Sequence, residues 1–142
     1  MKKIILAAFM AACGLQMSAQ QNLFVAQDLE SAIVNKDNTV TFNFKAPDAQ
    51  KVQIAGDFAE KAEGQHIGGM VGAGLIDMTK NSEGIWTYTT KPLDSELYSY
   101  EFMVDGVPTI DPNNVYVYRD FATTSNVFIV GNGKADLYKV NK

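Results

Sequence analysis

The sequence has one cysteine, one histidine and one tryptophan in 142 residues. Each scarcity removes a class of chemistry. Cys13 lies within the first twenty residues, so a chain shortened there has no disulfide, no thiolate nucleophile and no cysteine metal site. A lone histidine, His66, cannot build a multi-histidine metal centre. Neither a G-x-S-x-G nucleophile elbow nor a G-x-x-x-x-G-K-[ST] phosphate loop occurs. Lys and Arg number 12 against 16 Asp and Glu, a net charge of −4, so the basic surplus that nucleic acid or an anionic membrane requires is missing. The apolar run from Ile4 to Ala12 is too short to span a bilayer. Acidic residues cluster at Asp57, Glu60 and Glu63, but a small filled domain rarely offers the cleft a glycosidase pair must flank. The expectation is a chain that is not an enzyme by itself, with no catalytic residue, no metal site and no cofactor.

What is present begins with a leader. Lys2 and Lys3 precede the apolar run, and Met17-Ser18-Ala19 supplies small residues before the polar Gln20-Gln21-Asn22. That order is a secretory signal peptide, residues 1–20, and implies a secreted or periplasmic protein. Cys13 has two readings: a discarded leader residue, or the lipidated cysteine of a box formed by Met10-Ala11-Ala12-Cys13. Residues 21–36 are a weakly patterned lead-in, with one strand expected near Ala32 to Val34. Residues 37–142 form one domain; hydrophobic residues make up 46% of the whole chain, part of it the leader, and the rest is ordinary for a domain with its own core.

That domain reads as all-β. Thr39 to Lys45 alternates, with Val40, Phe42 and Phe44 on one face, and Lys51 to Gly56 alternates with Val52 and Ile54 inward. Gly64, Gly68, Gly69, Gly72 and Gly74 fall close together, so 57–74 is expected to be a long surface loop holding a solvated His66. Leu75 to Met78 is a short strand, and Gly84 to Thr90 a strand rich in β-branched and aromatic residues. Leu97 to Val104 sets Tyr98, Tyr100, Phe102 and Val104 on one face and ends in Asp105-Gly106, a tight hairpin signal. After the turn Asp111-Pro112-Asn113-Asn114, strands are expected at Val115 to Tyr118, Asn126 to Val130 and Ala135 to Val140. About seven or eight short strands separated by turns indicate a β-sandwich.

The segments TVTFNFKAPDAQKVQIAGDF, GIWTYTTKPLDSELYSYEFMVDG, DPNN and SNVFIV resemble family-48 carbohydrate-binding modules. They are more similar still to the N-terminal module of bacterial feruloyl and acetyl-xylan-type esterases. The resemblance implies an immunoglobulin-like early-set sandwich. It also implies polysaccharide, xylan-type or α-glucan, as a partner, and an α/β-hydrolase esterase domain as a neighbour in full-length relatives. That domain would begin about where this chain ends. The family's α-glucan binders hold sugar with two tryptophans, a lysine and an asparagine. The aligned positions here are Lys61 and Pro108, Glu101, and Ser125 or Asn126, so the aromatic platform is replaced and a basic group has become acidic.

Glycan recognition needs aromatic faces with polar groups around them. The candidates are Tyr116, Tyr118 and Arg119, which lie after a turn, together with Trp86, Asn113 and Asn126. Trp86 with Tyr88, and Tyr98 with Tyr100, also suit a core. Two roles are open to the module: binding or positioning polysaccharide, or serving as a spacer packed on a catalytic domain.

Overall fold

A computed structural model of the chain describes residues 29–138 apart from 60, 68 and 69. The expected signal peptide, Cys13, the first part of the lead-in and the end of the last expected strand lie outside the described residues. Twelve strands are described: β1 (Ile33–Val34), β2 (Val40–Lys45), β3 (Val52–Gly56), β4 (Lys61–Ile67), β5 (Met70–Ala73), β6 (Ile76–Asp77), β7 (Thr79–Lys80), β8 (Ile85–Thr89), β9 (Leu97–Val104), β10 (Val107–Thr109), β11 (Val117–Arg119) and β12 (Thr124–Ile129). A four-stranded sheet runs β1-β2-β8-β7. A larger one runs β11-β12-β9-β3-β6, with β10 paired to β9. All their pairings are antiparallel.

Period-2 alternation decides which side chains meet between the sheets. From the smaller sheet come Val40, Phe42, Phe44 and Trp86; from the larger come Val52, Ile54, Tyr100, Phe102 and Phe128. Phe42 is the hub, with ring centroids of Tyr100, Phe58 and Phe128 at 4.8, 5.2 and 5.5 Å. The all-β sandwich expected from the sequence is therefore present.

Three expectations are corrected. Residues 57–74 are not a long loop. They contain the β4–β5 hairpin, a separate two-stranded sheet in which Lys61 faces Ala73 and Ile67 faces Met70, with an irregularity between. Its ladder is interrupted, and a bulge is where glycine is tolerated in a strand. The strand expected from Ala135 begins instead as a 3-10 helix, Lys134–Tyr138. The β12 strand already has a partner on each side, β9 and β11. A turn also intervenes: Asn132 adopts φ 66° and its N–H donates to Asp136 Oδ1 at 3.1 Å. The strand number rises above seven or eight because the hairpin and several two- and three-residue strands add to the long ones.

Turns fix the register. Val104 faces Val107 across Asp105 (φ 47°) and Gly106 (φ 85°), the two-residue hairpin the sequence signalled. Asp105 also ties this turn to β3, accepting from the N–H of Lys51 at 2.7 Å and of Gln50 at 3.0 Å. The turn before β3 is held from β7 and β8. The Trp86 indole donates to Ala46 O at 2.9 Å, and Lys80 Nζ donates to Pro47 O at 2.6 Å and Ala49 O at 3.1 Å. Gly84 packs against the same turn at φ 76°, and a Cβ there would sit 2.6 Å from the Pro47 Cα. Both the left-handed backbone and the close approach require glycine. Gly84→Ala is expected to lower stability by roughly 2 kcal/mol or more, read as a fall in the urea midpoint at unchanged slope.

Candidate functional site

The Asp111–Asn114 turn is built from inside. Asn126, fully buried on β12, accepts from the Asp111 N–H at 2.6 Å and donates from Nδ2 to Asn114 O at 2.9 Å and Asp111 O at 3.3 Å. Tyr100, fully buried on β9, donates its hydroxyl to Asp111 Oδ2 at 2.7 Å. Asn114 Nδ2 donates to that hydroxyl at 3.1 Å and to Val127 O at 2.9 Å. Burial, then the facing Asp111 charge, pushes the Tyr100 phenol far above its ordinary range, so it remains a proton donor. The same network positions the next residues along the chain: the Asn113 N–H donates to Asp111 Oδ1, and the Tyr116 N–H to Asn114 Oδ1 at 2.9 Å. Tyr116 O then accepts from the Val127 N–H at 3.0 Å, joining the segment to β12.

Fixed in this way, Tyr116 and Tyr118 are 71% and 60% exposed. They are two residues apart on an extended segment and so project to the same side. Arg119 ends β11 and is also exposed. Val115, Val117 and Phe121 in the same segment are also exposed. Beside Tyr116 a groove of about 470 Å³ runs between the edge strand β1 of the smaller sheet and β12 of the larger. Ser31, Val34, Asn113, Asn114, Tyr116 and Ile129 are among its lining residues. Asn113 also lines the groove, while its Nδ2 is buried and has no hydrogen-bond partner.

Of the candidates from the sequence, Asn113 and Tyr116 line the groove together, Tyr118 lies two residues beyond on the side of Tyr116, and Arg119, the next residue of β11, projects to the other side. The other two do not join them. Trp86 is only 7% exposed, packed in the core with its indole N–H satisfied by Ala46 and Lys80 over its ring at 5.4 Å. Asn126 is consumed by the turn. Neither presents a face to a glycan. Sequence reasoning missed Val115, Phe121 and β1 as parts of the surface. Their apolar character was visible, but their exposure depends on which strands end the sheets.

The position aligned with the family's lysine behaves differently. Glu101 points to the outer face of β9, only 5% exposed, and its Oε1 has no hydrogen-bond partner. Burial raises its carboxyl above the ordinary value. Among the described residues, Ala55 lies opposite it on β3, Met103 two residues along, and residues 108–110 and 122–124 at its rim. Among the described residues there is no group of three or more His, Cys, Asp or Glu arranged for a metal ion, and no helix long and apolar enough to cross a membrane.

No protein-family model matches the sequence, and no curated protein matches it. Solved structures do match. The Group B Streptococcus pullulanase SAP in complex with maltotetraose aligns with a TM-score of 0.51 at 16% identity, over 74% of this chain and 15% of that one. A putative alpha amylase from Salmonella typhimurium gives 0.49 at 18% identity, over 74% and 15%. The apo pullulanase of Paenibacillus barengoltzii gives 0.46 at 19%, over 72% and 15%. At these identities the likeness is one of fold, and this chain spans about 15% of the length of each of the three.

Two substitutions test this account. Asn126→Leu keeps the bulk but strands the Asp111 N–H and the carbonyls of Asp111 and Asn114. It should cost about 3 kcal/mol in chemical unfolding. For Glu101 the sign is that of a raised carboxyl pKa. The folded state holds its proton more tightly than the unfolded chain, so stability falls as pH rises through the folded-state value. Glu101→Gln should therefore raise the thermal midpoint at pH 7, with the gain shrinking as pH falls from the raised folded-state value to the ordinary carboxylate value and constant below it.

Proposed function

We propose that the chain is a non-catalytic accessory module of a secreted carbohydrate-active enzyme, and that it binds or positions polysaccharide for a catalytic domain. One observation carries this reading. Tyr116 and Tyr118 are held exposed, on one side, by a buried polar network, next to a groove lined in part by Ser31, Asn113 and Asn114. Rigid aromatic surface beside unspent polar groups is what a sugar ring requires, because its C–H faces stack and its hydroxyls need partners. The likeness of fold to a pullulanase solved with maltotetraose favours an α-glucan, and the esterase resemblance favours xylan. The leader implies export, with the lipid-anchored form at Cys13 as the alternative.

A second reading has its own support. The positions aligned with the family's tryptophans hold Lys61 and Pro108, and the apolar surface at Val115, Val117 and Phe121 also suits protein contact. In that reading the module is a spacer packed on a catalytic domain, an α/β-hydrolase esterase if the resemblance extends that far.

Affinity electrophoresis of the mature domain through gels containing glycogen, starch, xylan or arabinoxylan separates the two. The binding module is expected to be retarded by at least one polymer. Tyr116→Ala or Tyr118→Ala should abolish the retardation while leaving the unfolding midpoint within about 0.5 kcal/mol, as for exposed positions generally. Unchanged mobility in all four gels would leave the spacer.

A further inference from the structure

We propose that Asn132-Gly133 is a site of spontaneous modification, at which the asparagine loses its amide to become aspartate or isoaspartate and the segment after it is loosened from the sandwich. This holds whether or not the module binds a glycan.

Asn132 is the one asparagine of the chain that glycine follows. Asparagine is a thermolabile residue, and its loss requires the next backbone nitrogen to reach its side-chain carbonyl carbon. Glycine at 133 has no side chain to obstruct that approach. Comparable residues elsewhere are protected. Asn126 is fully buried, is followed by Val127, and has its carboxamide bonded to Asp111 and Asn114. Asn81 Oδ1 accepts from the N–H groups of Glu83 and Ile85, both at 2.9 Å. In Asp105-Gly106 the carboxylate is fixed by the N–H groups of Gln50 and Lys51. Asn132 is exposed, and the hydrogen bond it makes comes from its backbone N–H; among the described residues none holds its carboxamide.

The fold itself brings the labile pair together. Residue 132 sits at φ 66°, a region that asparagine enters more readily than most residues. A Cβ on Gly133 would lie 2.8 Å from Ser95 Cβ and 3.0 Å from Ser95 Oγ, so the turn packs too closely there for a larger residue.

The reaction needs only water. The Gly133 nitrogen gives its proton to a solvent base and attacks Asn132 Cγ. A C–N bond forms, closing a cyclic imide. The Cγ–Nδ2 bond breaks, and the leaving nitrogen takes up a proton and departs as ammonia. Water then opens the imide. Attack at Cγ leaves aspartate, and attack at the backbone carbonyl leaves isoaspartate, with the main chain rerouted through the side chain. Either product disturbs one turn. The residue 132 N–H donates to Asp136 Oδ1 at 3.1 Å, and the fully buried Ala135 donates its N–H to Ser95 Oγ at 3.1 Å. Aspartate puts a new carboxylate on the residue whose N–H the Asp136 carboxylate accepts. Isoaspartate inserts a methylene into the backbone just before these anchors.

The test is incubation of the purified protein at mildly alkaline pH, sampled over time. Trypsin releases 120–134 as one peptide that carries both Asn126 and Asn132, so fragment masses compare the two directly. Asn132 should convert, faster as pH rises, while Asn126 stays intact, and enzymatic methyl transfer should detect isoaspartate. In the aged protein the Ala135 amide should exchange with deuterium about tenfold faster, the change that loss of one hydrogen bond allows. Asn132→Gly suits φ 66° and cannot react, so its Ala135 should keep slow exchange through the same incubation. The proposal is overturned if Asn132 converts no faster than Asn126 in the folded protein. It is equally overturned if the converted protein keeps the Ala135 exchange of the fresh one, or if Asn132→Gly loses that protection on incubation as the parent does.

Discussion

The candidate surface depends on one interaction, the hydrogen bonds that the buried Asn126 side chain makes with the Asp111–Asn114 turn. A sandwich core offers no water to satisfy a turn that dips into it, so every inward-facing amide and carbonyl must find a protein partner. A single carboxamide, with donor and acceptor side by side, meets three of these needs at once. Tyr100 and Asn114 add further bonds, leaving Asn113 Nδ2 as the buried group of the turn without a partner, and the backbone leaves the turn in a fixed direction. Tyr116 and Tyr118 are exposed because the residues before them are so thoroughly tied down. Order in the interior becomes preorganisation at the surface, which lowers the entropy lost on binding.

Much of the fold was legible in the sequence because two-residue periodicity is a local signal. Val40-Thr41-Phe42-Asn43-Phe44 and Tyr98-Ser99-Tyr100-Glu101-Phe102 each announce a half-buried strand without knowledge of any partner. The Asp105-Gly106 turn is equally local. The failures are of another kind. The glycines of 57–74 were weighed for entropy alone, whereas Gly68-Gly69 between two short segments is also a hairpin signal. Ala135 to Tyr138 has the composition of a strand, but the sheet had no vacant place beside β12. Among the site residues, an exposed tyrosine and a buried tryptophan on strands of similar composition differ only in which sheet face they occupy. That is settled by pairing across the molecule. The groove depends on β1 and β12, nearly a hundred residues apart in sequence, and no local pattern encodes it.

The Asp111 turn and Glu101 handle polar groups in opposite ways. Around Asp111 nearly every group has a partner, and the result is rigidity. At Glu101 a carboxyl is withdrawn from water with nothing given in return, and the fold carries that deficit as lost stability near neutral pH.

Trp86 is the only tryptophan, and it is locked between the sheets, hydrogen-bonded to one turn and capped by Lys80. Its emission therefore belongs to the interior. As an intrinsic fluorophore it reports the opening of the sandwich, where the indole passes from a dry, polarisable setting into solvent. It is blind to events at the tyrosine surface. For this molecule a silent fluorescence titration with a glycan carries no information about binding, while the same signal is a faithful gauge of unfolding.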